Sequence, residues 1–161
     1  MNQPPFERGP YLTVAALCER VLTEQDGVNS LIRMIDRVTR TATGPEPPPE
    51  LEPFDYPVWL YIAFKSGSAR GVKELTFRIQ KPSGDSLPAT SLPVHFEGED
   101  DRGVAAAVQI HLRIDIVGVW WFDISLDGVS VTKLPLRVIY MRQTSQGPRQ
   151  GGPPQRDRPS E

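Results

Sequence analysis

The chain has one cysteine, two histidines and no uninterrupted apolar run long enough to cross a bilayer. Each scarcity excludes a class of protein. A lone Cys18 cannot close an internal disulfide. His95 and His111 have no neighbour at a metal-ligand spacing, and no Gly-rich phosphate loop occurs, so no metal and no cofactor is expected. A membrane span needs about 18–20 apolar residues, which the chain lacks. Pro4, Pro5, Glu7 and Pro10 interrupt the start, where a secretion signal would be continuously apolar, so the expected location is the cytoplasm. An excess of one charge is also missing. The 18 Lys and Arg against 20 Asp and Glu leave a net charge of -2, too weak a field to favour nucleic acid or an acidic membrane as partner.

Turn formers, by contrast, are abundant. With 17 Pro and 13 Gly in 161 residues, a helical bundle is disfavoured, while 39% hydrophobic and 24% charged residues suit one globular domain. Residues 142–161 contain no hydrophobic side chain and several Gly and Pro, so a disordered tail is expected there, and a flexible start over residues 1–9. Between them, 44–57 alternates six prolines with Glu46, Glu50, Glu52 and Asp55. Proline rings fix their own φ and restrict the preceding residue, which predicts a stiff, extended connector crossing between two sheets. Its Pro45-x-x-Pro48 lacks the basic residue that usually orients a ligand of polyproline readers.

The rest of the chain reads with a period of two. Val58, Leu60, Ile62 and Phe64 share one side of a strand, as do Leu75, Phe77 and Ile79 of another. From Val104 to Ile116, seven apolar residues alternate with Ala105, Ala107, Gln109, His111, Arg113 and Asp115, a pattern that a helix would scatter around its axis. Trp120, Phe122, Ile124 and Leu126 then face inward, followed by Asp127-Gly128, a tight hairpin signal, and by a return strand carrying Leu134, Leu136, Val138 and Tyr140 inward. Pro135 removes one donor from that strand, which predicts an edge, a bulge or a change of sheet.

The opening segment, 12–41, is ambiguous by pattern. Val14, Leu17, Cys18, Val21 and Leu22, then Val28, Leu31, Ile32, Ile35 and Val38, follow helical spacing, whereas the β-branched content and a central Asp26-Gly27 favour a hairpin. The strings Ala16-Leu17-Cys18-Glu19-Arg20-Val21, Asp26-Gly27-Val28 and Ser30-Leu31-Ile32-Arg33-Met34-Ile35-Asp36-Arg37 resemble the start of a family of small uncharacterised bacterial and phage proteins. The later Gly118-x-Trp120-x-Phe122-x-Ile124-x-x-Asp127-Gly128 and Leu134-Pro135-Leu136-x-Val138 are similar to it as well, with the closing hairpin of immunoglobulin-like modules. The resemblance covers about residues 10–141. It implies a β-sandwich, tips the opening segment toward a hairpin, and transfers no activity, substrate or catalytic residue.

The expected fold is therefore all-β, a single two-layer antiparallel β-sandwich over residues 10–141, immunoglobulin-like, with disordered termini. Reactive candidates are few. His111 alternates with Gln109 and Arg113 on a polar face, Cys18 sits among apolar neighbours, and no catalytic residue is assigned. Glu97, Glu99, Asp100 and Asp101 form one acidic loop without the spaced Asp-x-Asp of a calcium site. Trp59, Tyr61 and Trp121 alternate with core residues and are the candidate interface, because exposed Trp and Tyr anchor protein contacts. The expected function is a non-catalytic protein-interaction or structural module that binds another protein or itself. A calcium- or small-ligand-responsive sensor is the alternative, and an enzyme whose site assembles only in three dimensions comes third.

Overall fold

The computed structural model of the chain describes residues 8–145. Nine strands follow one another along them: β1 (Tyr11–Thr23), β2 (Asn29–Met34), β3 (Arg37–Gly44), β4 (Phe54–Lys65), β5 (Arg70–Gln80), β6 (Thr90–Glu97), β7 (Gly103–Ile114), β8 (Gly118–Leu126) and β9 (Val129–Thr144). They form a four-stranded sheet, β2-β1-β4-β7, and a five-stranded sheet, β3-β9-β8-β5-β6, packed as two layers.

The period-two positions make the core. Val58, Leu60, Ile62 and Phe64 of β4 and Leu112 and Ile114 of β7 face Leu75, Phe77 and Ile79 of β5, Trp120, Phe122, Ile124 and Leu126 of β8, and Leu136 and Val138 of β9. Trp120 is fully buried, and its indole N–H donates to the Ile116 carbonyl at 3.2 Å, so the largest core side chain leaves no polar atom unpaired. Phe64 and Phe96 meet edge-on across the layers at 5.9 Å.

The opening segment resolves into strands, though not into one hairpin. β1 and β2 pair antiparallel around a turn in which the Glu24 amide donates to the Val28 carbonyl and the Gly27 amide to the Glu24 carbonyl, and after Met34 the chain crosses to the other sheet as β3. The sandwich is antiparallel as expected in every other strand pairing among the described residues, and β3 adds one parallel pairing, running beside β9 from Arg37 opposite Arg137 to Gly44 opposite Thr144. The helical spacing of Val28 to Val38 was coincidental, since Ile32 is exposed in one sheet and Val38 buried in the other.

Two boundaries also move. β9 runs to Thr144 because Arg142, Gln143 and Thr144 continue the backbone ladder with Ala42, Thr43 and Gly44, a pairing that requires no apolar side chain. The expected disorder of 1–7 and of 146–161 lies outside the described residues. The connector does cross between the sheets, but it ends at Pro53 and bends at Pro45, Glu46, Pro49 and Glu50 rather than running straight. Pro57 sits inside β4, beyond the last β1 pair at Cys18 and Trp59, where no strand asks for its missing N–H on that side. Pro135 follows the same rule. Arg137 N donates to Asp36 O at 2.9 Å, so the Pro135 nitrogen, two residues earlier, faces the same side just beyond the start of β3. The bulge lies elsewhere, where the β8–β9 register slips between Ile124 and Ser125.

Asp127 and Gly128 make the two-residue turn between β8 and β9 with φ of 48° and 78°, the left-handed pair that a tight hairpin demands. The Asp127 carboxylate reaches sideways to β5, accepting from the Glu74 amide at 2.8 Å and from Lys73 Nζ at 2.7 Å. One turn thereby ties three strands together.

Candidate functional site

The three aromatic residues singled out by alternation do not form one patch. Trp59 and Tyr61 belong to β4 in the four-stranded sheet, and Trp121 to β8 in the five-stranded sheet. Their strand neighbours fill the core, so all three point to the outer faces, which lie on opposite sides of the sandwich. The expectation of a joint interface is corrected by topology.

One of those faces is covered by the chain itself. Tyr61 is only 9% exposed although it lies on an outer face. The cover is the β1–β2 ribbon. Asn29 stands opposite Thr23, seven residues beyond Ala16, the β1 partner of Tyr61. A straight strand would separate those levels by about 23 Å. Yet the Asn29 amide donates to the Tyr61 hydroxyl at 3.3 Å, so the ribbon folds back over its own sheet. Cys18, opposite Trp59, is fully buried at the base of this fold-back, outside the main core. Burial pushes its thiol above the ordinary range, and a bond to the Arg20 carbonyl opposes this more weakly, which disfavours a reactive thiolate.

The ribbon's other flank is open. Met34 is 71% exposed, Val28 60%, Leu22 45% and Ile32 40%, while Val21, Asn29 and Leu31 are half-buried. β2 is also the end strand of its sheet, with one row of backbone groups unpaired within it. Arg33 interrupts that edge with a φ of 51° and lies 3.4 Å from Glu19. That pair stands near Tyr56, whose hydroxyl pKa is raised by burial and by the Glu19 charge, with Arg33 opposing.

The second face is polar. Trp121 is 41% exposed and lies level with Gln80 on β5 and Pro135 on β9. One pleat away, Arg78, Asp123 and Lys133 line up across three strands, with Lys133 Nζ 3.3 Å from Asp123. Together with Ser86, Arg78, Gln80, Trp121, Asp123 and Lys133 enclose a shallow depression of about 400 Å³.

No family model, curated protein or solved structure matches the chain.

The groups that would carry chemistry are dispersed. His95 on β6 and His111 on β7 are exposed and lie in different sheets. In the acidic loop, Arg102 Nε stands 3.5 Å from Glu97 and 3.3 Å from Glu99, and both carboxylates favour its charged form. Among the described residues no three His, Cys, Asp or Glu side chains are placed to hold a metal ion, and no helix is long and apolar enough to cross a membrane. Sequence alternation pointed to outward aromatic residues but missed the ribbon's apolar flank. Its signal was present as Leu22, Val28 and Ile32, hidden by the helical reading of the same residues.

Proposed function

We propose that the protein is a non-catalytic interaction module that binds another protein through the open flank of the β1–β2 ribbon, working in a bacterial cytoplasm. The observation that carries the reading is the concentration of exposed Leu22, Val28, Ile32 and Met34 on a two-stranded ribbon with a free edge. Large apolar side chains crowded at one exposed place mark contact surfaces, and a free strand edge offers main-chain hydrogen bonds to an added strand. The ribbon is held in shape by the Asn29–Tyr61 bond, so little ordering entropy opposes binding.

The same proposal takes the sandwich as immunoglobulin-like and as a member of the uncharacterised family its opening and closing strings resemble. Its connectivity supports this. The chain passes from β4 in one sheet to β5 in the other, returns in β7, and closes with the β8–β9 hairpin, with β3 parallel to β9. The β2 excursion is then an addition to that plan, and it is the addition that carries the contact surface.

The test is an affinity capture from the native host with the full chain, run beside an Ile32→Lys/Met34→Lys variant whose unchanged circular dichroism shows that it folds. The reading expects a partner recovered by the native chain and lost from the variant. Recovery of the same set by both, or of nothing by either, would overturn it.

A further inference from the structure

The outer face of the five-stranded sheet goes beyond the ribbon reading, and its charges point to an occupant. Arg137 pairs in register with Arg37 on β3 and with Val119 on β8, one pleat from Trp121 on the side opposite Arg78 and Lys133. Cations thus stand on both sides of the exposed indole, about 7 Å away along the strands and spread over about 14 Å across them. Lys133 is matched by Asp123, whereas Arg37, Arg78 and Arg137 have no ion pair among the described residues. The net charge of the chain conceals this local excess.

The complementary excess lies in the connector. Glu46, Glu50 and Glu52 are exposed, have no ion pair among the described residues, and have no Lys or Arg between 44 and 57 to offset them. Pro45, Pro49 and Pro53 are exposed between and beside them. The segment is fixed in place, since the Tyr140 hydroxyl donates to the Pro48 carbonyl at 2.8 Å and Leu51 packs on the core. A pre-ordered run of proline and carboxylate fits an exposed indole flanked by guanidinium groups, because proline rings stack on aromatic faces and arginine binds carboxylates in a planar fork.

We infer that the Trp121 face of one copy receives the acidic connector of a second copy. The two surfaces adjoin in each molecule, as Glu50 and Arg137 border the same groove of about 660 Å³. Adjacent, oppositely charged patches suit a two-fold arrangement in which each face meets the other copy's connector, giving a closed dimer rather than an open chain.

Sedimentation velocity of the full chain over a concentration series tests this. The expected result is a monomer–dimer equilibrium that weakens about tenfold or more as salt rises from low to high ionic strength. Trp121→Ala weakens it about tenfold or more, as removal of a central indole does in other interfaces. Arg78→Glu/Arg137→Glu and Glu46→Lys/Glu50→Lys each dissociate the dimer, and the four changes in one chain restore it, because the attraction is rebuilt with signs exchanged. Monomer at every concentration up to about 1 mM at low salt, the range of the weakest specific complexes, would overturn the inference. Failure of the four-fold variant to re-associate would do the same. If Ile32→Lys/Met34→Lys abolishes the dimer while the face variants leave it intact, self-association belongs to the ribbon and the inference falls, with the ribbon reading untouched. Binding of a synthetic acidic, proline-rich peptide to a strictly monomeric chain would assign the face to a foreign segment and overturn the second-copy occupant.

Discussion

Asp127→Ala probes how much of the sandwich rests on a single turn. Three losses are combined. Alanine must hold a φ of 48°, a left-handed conformation that costs about 1 kcal/mol more for it than for aspartate. The Glu74 amide loses the carboxylate that accepts from it at 2.8 Å, a loss of about 1 kcal/mol. Lys73 loses a 2.7 Å ion pair whose carboxylate is 46% exposed, so screening leaves it worth at most about 0.5 kcal/mol. The sum is about 2–3 kcal/mol, which lowers Tm by about 5–10 °C in a domain of this size. Asp127→Gly removes the strain and loses only the contacts. Asp127→Asn keeps the left-handed preference and an oxygen for the Glu74 amide, so it should cost less than about 1 kcal/mol.

The charge component has its own pH signature. The Lys73 hydrogen bond, then the Glu74 amide, hold the Asp127 carboxyl below the usual carboxylate range. Because its folded pKa lies below the unfolded value of about 3.9, its contribution is complete above that value and is lost as pH falls through the folded pKa. The stability difference between native chain and Asp127→Asn should therefore be constant from about pH 5 to pH 8 and close below about pH 4. Thermal and urea unfolding followed by circular dichroism measures each quantity. Equal damage from Ala, Gly and Asn, or a native-versus-Asn gap that survives below the folded pKa, would refute this account of the turn.

Other consequences can be measured in the same way. Phe122→Ala, at a fully buried site between the sheets, should cost about 3–5 kcal/mol in urea unfolding, because the packed layers cannot close the void. Tyr61→Phe removes only the hydroxyl that accepts from Asn29; it should cost about 0.5–1.5 kcal/mol and raise hydrogen exchange across β2 while β4 and β7 stay protected.

The core was legible in sequence wherever alternation was long. β7 and β8 each repeat apolar residues at every second position, and the buried set of β8 is the one that alternation names. β6 was not named, because Pro93 interrupts Leu92, Val94 and Phe96; proline is tolerated there only because β6 ends its sheet, and edge position is a property of topology. The same limit hid the separation of Trp59 and Tyr61 from Trp121. Alternation states that a side chain points away from the core, but which of two outer faces it joins depends on strand order, set by contacts remote in sequence. The fold-back of the ribbon depends on Asn29 and Tyr61, 32 residues apart, and no local spacing encodes it.

Composition of the two outer faces then explains why one is covered and the other bare. Tyr61 is flanked in register by Ala16 and Ala107, short neighbours that let a second layer of backbone approach until an Asn amide reaches the phenol. Trp121 is surrounded instead by Arg78, Lys133 and Arg137, whose long charged side chains would lose hydration under a covering ribbon without partners of their own. A cover for that face must therefore bring carboxylates with it. The β1–β2 ribbon turns its half-buried Val21, Asn29 and Leu31 inward, with no carboxylate among them, so it can serve the alanine-flanked face and not the arginine-flanked one. The connector, with three glutamates unpaired among the described residues, is the segment whose chemistry matches the second face, and its anchorage by Tyr140 and Leu51 directs the match to another molecule.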